Sequence, residues 1–171
     1  HPDFTFGQQI DGQLLKHVPS YKSYDIILNK EKIYKQYRDT VGLSRGSIDV
    51  VEDIQFVELH DKSDVLAFGW LGKLRLLGTV NPASSVDGVR LRCGNILLGN
   101  KETLSALFKE TRFNHYLVGE VHITDNRIVP NSRRDDLEDS DIKAKLFNEF
   151  LKEIGMPFSS KIRELSRERG K

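Results

Sequence analysis

Hydrophobic and polar residues alternate over several short stretches of the chain, a pattern that is typical of half-buried β-strands. The first predicted strand is instead the short apolar run Tyr24–Leu28, which has strand composition and is followed by the turn-prone residues 29–32. Residues 33–37 would then return as the second strand of a β-hairpin, although a helix over 30–39 fits the same segment. The first twenty residues show no clear period, so we expect a loosely ordered lead-in there.

Two longer strands are predicted in the middle of the chain. Residues 48–59 are rich in valine and isoleucine, which favours a strand, with a bulge near Glu52 and Asp53. A polar turn at 60–64 separates it from the apolar run 65–71. The two runs therefore predict an antiparallel pair.

Further strands follow a long loop. Residues 89–93 alternate cleanly, with hydrophobic residues on one face and Arg90 and Arg92 on the other. Residues 95–98 are expected to continue this strand after a glycine break. The run 116–124 predicts the last strand, and a turn follows it.

Helical spacing of apolar residues appears in three other segments. The first predicts a helix over 103–111. A stronger helix begins after a cap at Asp139 or Ser140, and we expect Gly155 and Pro157 to end it. A final charged helix restarts at one of the two serines that follow. Six apolar residues form the stripe of the stronger helix: Ile142, Leu146, Phe147, Phe150, Leu151 and Ile154.

Adjacent strands with a few helices predict the α+β class. The length of 171 residues fits one domain with a sizeable core. Lys and Arg number 26 and Asp and Glu 25, so the net charge of +1 argues against a general polyanion binder. The single cysteine excludes an internal disulfide and favours a reducing compartment, so we expect a cytoplasmic protein. No apolar run approaches the length of a membrane span.

Common catalytic and metal-binding patterns are missing from the sequence. The acidic run after Arg134 lacks the alternating carboxylates and central glycine of a calcium loop. His115 and His122 are seven residues apart on a predicted strand, which places them on opposite faces and argues against a shared metal ion. There is no phosphate-binding glycine loop. Cys93 lies on an alternating strand and is interpreted as a packed thiol. We therefore expect no metal site and no bound cofactor.

One segment departs from this plain pattern. A proline-fixed loop over 128–137 presents Asn131 and two guanidinium groups, those of Arg133 and Arg134, immediately before a capped helix. Guanidinium groups are planar forks that suit phosphate oxygens. On a rigid loop they would reach a neighbouring site. The alternative is that both arginines pair with nearby carboxylates and merely hold the loop.

Several runs in this part of the chain resemble the middle domain of bacterial Hsp90-like, chaperone-like ATPases, which belong to the GHKL superfamily of gyrase, Hsp90, histidine kinases and MutL. More distantly, they resemble the middle domain of the ninety-kilodalton heat-shock chaperones. The similarity covers roughly 48–154. The runs that carry it are 89–99 (VRLRCGNILLG), 112–114 (RFN), 119–123 (GEVHI) and 130–136 (PNSRRDD).

The resemblance implies a transducer domain, with a β-sheet that has helices on one side and a left-handed βαβ crossover. Asn131 takes the place of the asparagine in the family's catalytic loop and Arg134 that of its arginine, while Arg133 stands where the family has serine. One of the two arginines would contact the γ-phosphate of ATP. ATP and magnesium would be held by a separate N-terminal ATPase domain, because its Asp-x-Gly-x-Gly loop is not in this sequence.

This reading divides the chain into a lead-in with a β-hairpin (1–45), the transducer core (46–155) and a C-terminal helix (156–171) that leads onward. The expected partner is the ATPase domain of the same polypeptide, with a homodimer and a protein client also possible in the full-length protein. The chain alone is expected to be inactive as an ATPase. Two alternatives remain open: a nucleic-acid-binding module, or a scaffold that docks a partner through its last helix. The basic residues of the first alternative are Lys73, Arg75, Arg90, Arg92 and the arginines near 133, and those of the second are Arg163, Arg167 and Arg169.

Overall fold

The computed structural model describes residues 1–171 and has eight β-strands and three α-helices. The helices are α1 (Gly7–His17), α2 (Asp141–Phe150) and α3 (Met156–Arg169), with a π-helical turn at Leu151–Gly155 between the last two. The strands are β1 (Ile26–Leu28), β2 (Glu31–Ile33), β3 (Thr40–Gly42), β4 (Ile48–Asp61), β5 (Asp64–Leu74), β6 (Gly88–Cys93), β7 (Ile96–Leu97) and β8 (Val118–Ile123). None of the helices has both the length and the apolar composition that crossing a bilayer requires.

Six of the strands form one mixed sheet in the order β3-β4-β5-β8-β6-β7. All neighbours are antiparallel except β6 and β8, which pair in parallel from Gly88 opposite Val118 to Cys93 opposite Ile123. A parallel neighbour requires a crossover connection, here the segment that contains β7 and two 3₁₀ turns. The predicted α+β class is confirmed.

Both faces of the sheet are covered, each by its own hydrophobic core. One face packs against α2 and α3, and Phe150 and Ile154 from the predicted stripe are fully buried there. The opposite face packs against α1 and the N-terminal segment around Trp70. The prediction of helices on a single side is therefore wrong for α1.

The N-terminal helix is the largest departure from the sequence-based expectation. Residues 7–17 form α1 where a loosely ordered lead-in was predicted. Ile10, Leu14 and Val18 are spaced by four residues and are all buried against the sheet. The glycine and glutamine residues between them make the helical spacing hard to recognise in the sequence. The buried face of α1 is therefore identified only by its packing against the sheet.

In the first half the β4–β5 pair and the existence of a hairpin are confirmed, but the predicted return strand at 33–37 is wrong, since β2 is Glu31–Ile33 and residues 34–37 form no strand. β1 and β2 form a hairpin whose two-residue turn, Asn29 and Lys30, has positive φ values of 50° and 69°. This turn geometry suits the right-handed twist of hairpins and favours asparagine, so the alternative helix is wrong. β4 and β5 are antiparallel, and their register shifts between Val51 and Asp53, where the bulge was expected.

Two predictions in the second half are wrong. Residues 95–98 do not extend β6 but turn back, so that Ile96 of β7 lies opposite Cys93. Residues 103–111 contain only a 3₁₀ turn at Ser105–Leu107 in place of an α-helix. Leu104 and Phe108 are nevertheless buried, so the apolar pattern predicted burial correctly and the helical type wrongly.

Gly155 and Pro157 do not end the C-terminal helix. Ser140 caps α2 as expected, accepting a hydrogen bond from the Lys143 backbone N–H at 3.1 Å. The helix then continues through the π-helical turn into α3, because proline is tolerated in a first helical turn. Gly155 has a packing role instead: a Cβ there would collide with the carbonyl oxygen of Leu107.

Candidate functional site

The segment Pro130–Leu137, called the Arg loop here, is a closed turn on the protein surface. Its ends form an isolated antiparallel bridge between Pro130 and Leu137. Inside it, the backbone N–H of Asn131 donates to the Asp136 carbonyl at 2.9 Å, and that of Arg134 donates to the Asn131 carbonyl at 3.0 Å. The backbone therefore closes the loop without help from either guanidinium.

The side chain of Asn131 ties the two sides of the Arg loop together. Its Nδ2 donates to Oδ1 of Asp135 at 2.6 Å, and its Oδ1 accepts from the Asp135 backbone N–H at 3.2 Å. Asparagine satisfies a carboxylate and a backbone donor at the same time because its amide carries both a donor and an acceptor. Asn131 therefore shapes the loop from within.

Backbone hydrogen bonds fix Arg134 at both its N–H and its carbonyl oxygen. Its φ of +56° is uncommon for a residue with a Cβ. Its carbonyl accepts a hydrogen bond from the backbone N–H of Gly99 at 3.0 Å. Gly99 itself has a φ of +63°, and a Cβ on it would collide with Thr103 Oγ1 and the Asp135 carbonyl. The Arg loop is thus braced against the segment that follows β7.

The two arginines of the loop form no ion pair. Asp135 is engaged by Asn131, and Asp136 by Lys143, whose Nζ lies 3.2 Å from its Oδ2. The side chains of Arg133 and Arg134 are exposed and donate no hydrogen bond. The alternative in which these arginines pair with nearby carboxylates is therefore not what the structure contains. Two uncompensated cations remain at the tip of a braced loop.

The lone thiol near the loop is not activated. Burial raises the pKa of Cys93 above its usual value, and the nearby charge of Arg134 only partly offsets this. Cys93 is half-buried and packs against the core beside α2 and α3. It therefore behaves as the packed thiol that the alternating pattern predicts.

A buried charge cluster on the opposite face of the sheet was missed by the sequence analysis. The carboxylate of Glu120 is fully buried, and Arg92 Nε lies 2.7 Å and His122 Nε2 3.1 Å from it. Lys35 Nζ lies 3.6 Å away, and the Trp70 indole N–H donates at 3.4 Å. Glu120 and His122 are two apart on β8, which places them on one face, but the cross-strand partners only appear in the fold.

The cationic partners keep Glu120 ionised. Burial alone would raise its pKa, but the His122 hydrogen bond and the charges of Lys35 and Arg92 together bring the pKa far below its usual value. Because Lys35 belongs to the segment between β2 and β3, the cluster also attaches the N-terminal segment to the sheet. This is a structural role.

A second internal cluster surrounds Asp87 at the start of β6. Its buried carboxylate lies 2.7 Å from His115 Nδ1 and 3.0 Å from Lys101 Nζ. Burial would raise the pKa of Asp87, but hydrogen bonds from Lys101 and His115 lower it overall. His115 lies in a 3₁₀ turn and not on a strand as predicted, while His122 belongs to the Glu120 cluster. No group of three or more His, Cys, Asp and Glu side chains is arranged to hold a metal ion.

Most basic residues of the two alternative functions are engaged within the chain. Arg92 pairs with Glu120, Arg75 Nε lies 2.7 Å from Glu52, and Arg90 donates to the Ser85 carbonyl at 2.7 Å. In the last helix, Arg163 pairs with Glu110 and Arg169 donates to the Leu76 carbonyl. Only Arg133 and Arg134 combine adjacent positions, exposed side chains and freedom from ion pairs on one loop.

Comparison of the chain with protein-family models, with curated proteins and with solved structures gives no match.

Proposed function

We propose that the chain is the transducer domain of a GHKL-type ATPase and that the Arg loop carries the residue that contacts the γ-phosphate of ATP. The observation that supports this most directly is the pair of exposed, unpaired guanidiniums of Arg133 and Arg134 on a braced loop. Internal salt bridges engage many of the other arginines. An exposed cation pair on a loop with a fixed backbone, without counter-ions of its own, is suited to an external anion.

The chemistry follows from electrostatics. During phosphoryl transfer, negative charge is spread over the γ-phosphate oxygens, and a fixed guanidinium stabilises that charge. Docking of the Arg loop onto a nucleotide domain would also exclude water from the site. Because the cation arrives from another domain, hydrolysis depends on domain closure, which makes ATP a conformational switch.

The two arginines are not equivalent in this proposal. Arg134 has its N–H bonded to Asn131 and its carbonyl bonded to Gly99, whereas Arg133 lies at the turn with neither constraint. A group that is positioned before the substrate arrives loses less entropy when it binds. We therefore assign the phosphate contact to Arg134, with Asn131 as a positioning residue. The proposal further assigns the left-handed crossover to the β6–β8 connection that precedes the loop.

The test is ATP turnover by the full-length polypeptide that joins this chain to its nucleotide domain. Arg134→Ala should lower kcat by about 10³-fold or more while ATP affinity changes little, because the contact forms with the transferring phosphoryl group. Arg45 is a matched control, since it is also exposed and unpaired but lies in the β3–β4 turn. Arg45→Ala should leave turnover unchanged.

Two results would contradict the proposal. Equal turnover for Arg134→Ala, Arg133→Ala and the unsubstituted protein would show that neither arginine contacts the γ-phosphate. Ordinary ATP hydrolysis by the isolated 171-residue chain would show that it does not depend on a separate nucleotide domain, since we expect no ATPase activity from the chain alone.

A further inference from the structure

The β1–β2 hairpin exposes a large apolar face. The side chains of Tyr24, Ile26, Leu28 and Ile33 are 60%, 52%, 61% and 47% exposed. Ile26 lies directly opposite Ile33 in the hairpin register, and strand alternation places Tyr24 and Leu28 on the same face. The hairpin pairs with no strand of the main sheet.

The other face of the hairpin carries polar contacts of its own beside the exposed Ile27. Lys32 Nζ lies 2.7 Å from Asp25 and stands 5.2 Å from the centre of the Tyr34 ring. The apolar face has no such partners. A two-stranded hairpin alone is only marginally stable in water, so an added strand at its edge would stabilise this one.

The outer edge of β1 is open to strand pairing. Ile26, Ile27 and Leu28 include no charge, proline or bulge, which are the features that usually protect an edge strand. In an antiparallel ladder every second residue directs its backbone N–H and C=O away from its partner strand. Since the turn closes on Leu28 and Glu31, Ile27 is such a residue. Its backbone donor and acceptor therefore face outward.

We infer that β1 pairs with β1 of a second copy of this chain, in an antiparallel arrangement whose two-fold axis passes beside Ile27. This register sets Ile27 against its counterpart and Ile26 against Leu28 of the second copy, and it places Asp25 opposite an uncharged Asn29. Both copies then contribute to one continuous four-stranded sheet. In this register the two copies of β1 set apolar residues against apolar residues and bring no like charges together.

The other edge of the hairpin does not share this complementarity. On β2 the residue with outward backbone groups is Lys32, so a two-fold pairing there would set two lysines directly opposite each other. Like charges in that position are destabilising. The charge pattern therefore favours β1 over β2 as the edge at which two copies of the chain pair. It also favours a second copy over an arbitrary apolar surface as the partner. The short contact predicts a weak, concentration-dependent dimer, as small interfaces do.

The first experiment is sedimentation velocity of the 171-residue chain over rising concentration. The unsubstituted chain should shift from 19.6 kDa towards twice that mass. Ile27→Lys should abolish the shift by placing two ammonium groups at the two-fold axis. Ile48→Lys is the matched control, because Ile48 and Ile27 have nearly equal exposure, 67% and 65%. The Ile48→Lys variant should dimerise like the unsubstituted chain. Circular dichroism would verify that both variants fold.

A charge-reversal mixture tests the register. Ile27→Glu alone should stay monomeric, whereas an equal mixture of Ile27→Glu and Ile27→Lys should restore a dimer, because opposite charges then face each other. In a Cys93→Ser background, Ile27→Cys treated with diamide should cross-link to itself, since the expected Cα separation of about 5.5 Å lies within disulfide reach. Ile48→Cys should not cross-link.

Three outcomes would overturn the inference. The first is an unsubstituted chain that remains monomeric to its solubility limit, which would show that β1 does not pair with a second copy. The second is dimerisation of Ile27→Lys equal to that of Ile48→Lys. The third is a mixture of the two charged variants that stays monomeric. None of these results bears on ATP turnover, so the inference fails or stands separately from the proposed function.

Discussion

Arg92 and Arg134 show two opposite uses of the same side chain. Arg92 is mostly buried and lies 2.7 Å from the carboxylate of Glu120, whose second charged neighbour is Lys35 at 3.6 Å. Arg134 is exposed and has no carboxylate partner, while backbone hydrogen bonds hold its peptide. In the first arrangement the arginine is paired with a carboxylate of the same chain. In the second the arginine remains available to bind an anion from outside the chain. The difference separates a group that stabilises the fold from one that is free to bind.

The largest expected effect is at the buried carboxylate. Glu120→Gln should lower the free energy of unfolding by about 3–5 kcal/mol, because the mostly buried Arg92 would lose its counter-ion inside the protein. Glu52→Gln is the matched control: its Arg75 contact has the same 2.7 Å length but is largely exposed. That change should cost at most about 1 kcal/mol. Urea denaturation measures both.

The pH dependence of stability provides a second check on Glu120. Its pKa in the folded chain lies well below the ordinary value of 4.5, so the carboxylate stabilises the fold above that pH. The stabilisation should be lost progressively as pH falls below about 4.5 and the unfolded chain begins to bind the proton first. Glu120→Gln should flatten this part of the profile. A variant whose acid sensitivity matched the unsubstituted chain would contradict the role of Glu120.

A smaller effect is expected where the Arg loop is braced. Gly99→Ala should destabilise the chain by about 1–3 kcal/mol, because alanine is strained at a positive φ and its Cβ meets Thr103 and Asp135. Gly42→Ala is the control, since a Cβ there meets nothing within 4 Å and its φ is not positive. Thermal unfolding compares the two variants. Equal melting temperatures would show that the contact with Gly99 does not brace the loop.

The smallest effect is expected at the loop arginines themselves. Arg133→Ala combined with Arg134→Ala should change the free energy of unfolding by no more than about 0.5 kcal/mol, as neither side chain has a partner to lose. Urea denaturation next to Glu120→Gln would measure the contrast. A large loss of stability in the double variant would assign these arginines to the fold after all.

Local patterns predicted much of the architecture. The hairpin turn at Asn29 and Lys30, the β4–β5 pair with its bulge, β8 and the Ser140 cap all depend on neighbouring residues, so they are readable along the chain. The failures share a different cause. Residues 7–17 and 103–111 have apolar residues whose spacing fits more than one structure, and the packing partners decide between them.

The candidate site divides in the same way. The pattern of residues 128–137 drew attention to Asn131, Arg133 and Arg134 because two guanidiniums follow a proline-fixed turn. Whether those arginines are free or paired with the adjacent carboxylates was open, since either arrangement fits the residues. In the structure Asp135 accepts a hydrogen bond from Asn131, and Asp136 forms an ion pair with Lys143. The two arginines therefore have no carboxylate partner.

The sequence by itself determined the α+β class, most of the strands and the location of an unusual basic loop, because these depend on residues a few positions apart. Only the tertiary structure decided that α1 covers the second face of the sheet and that Lys35, Arg92, Glu120 and His122 meet in one buried cluster. Lys35 and His122 are 87 positions apart along the chain, and strands β3 to β7 lie between Lys35 and β8 in sequence. Charge compensation is a property of distance in space, so the balance between buried and free arginines appears only when the chain is folded.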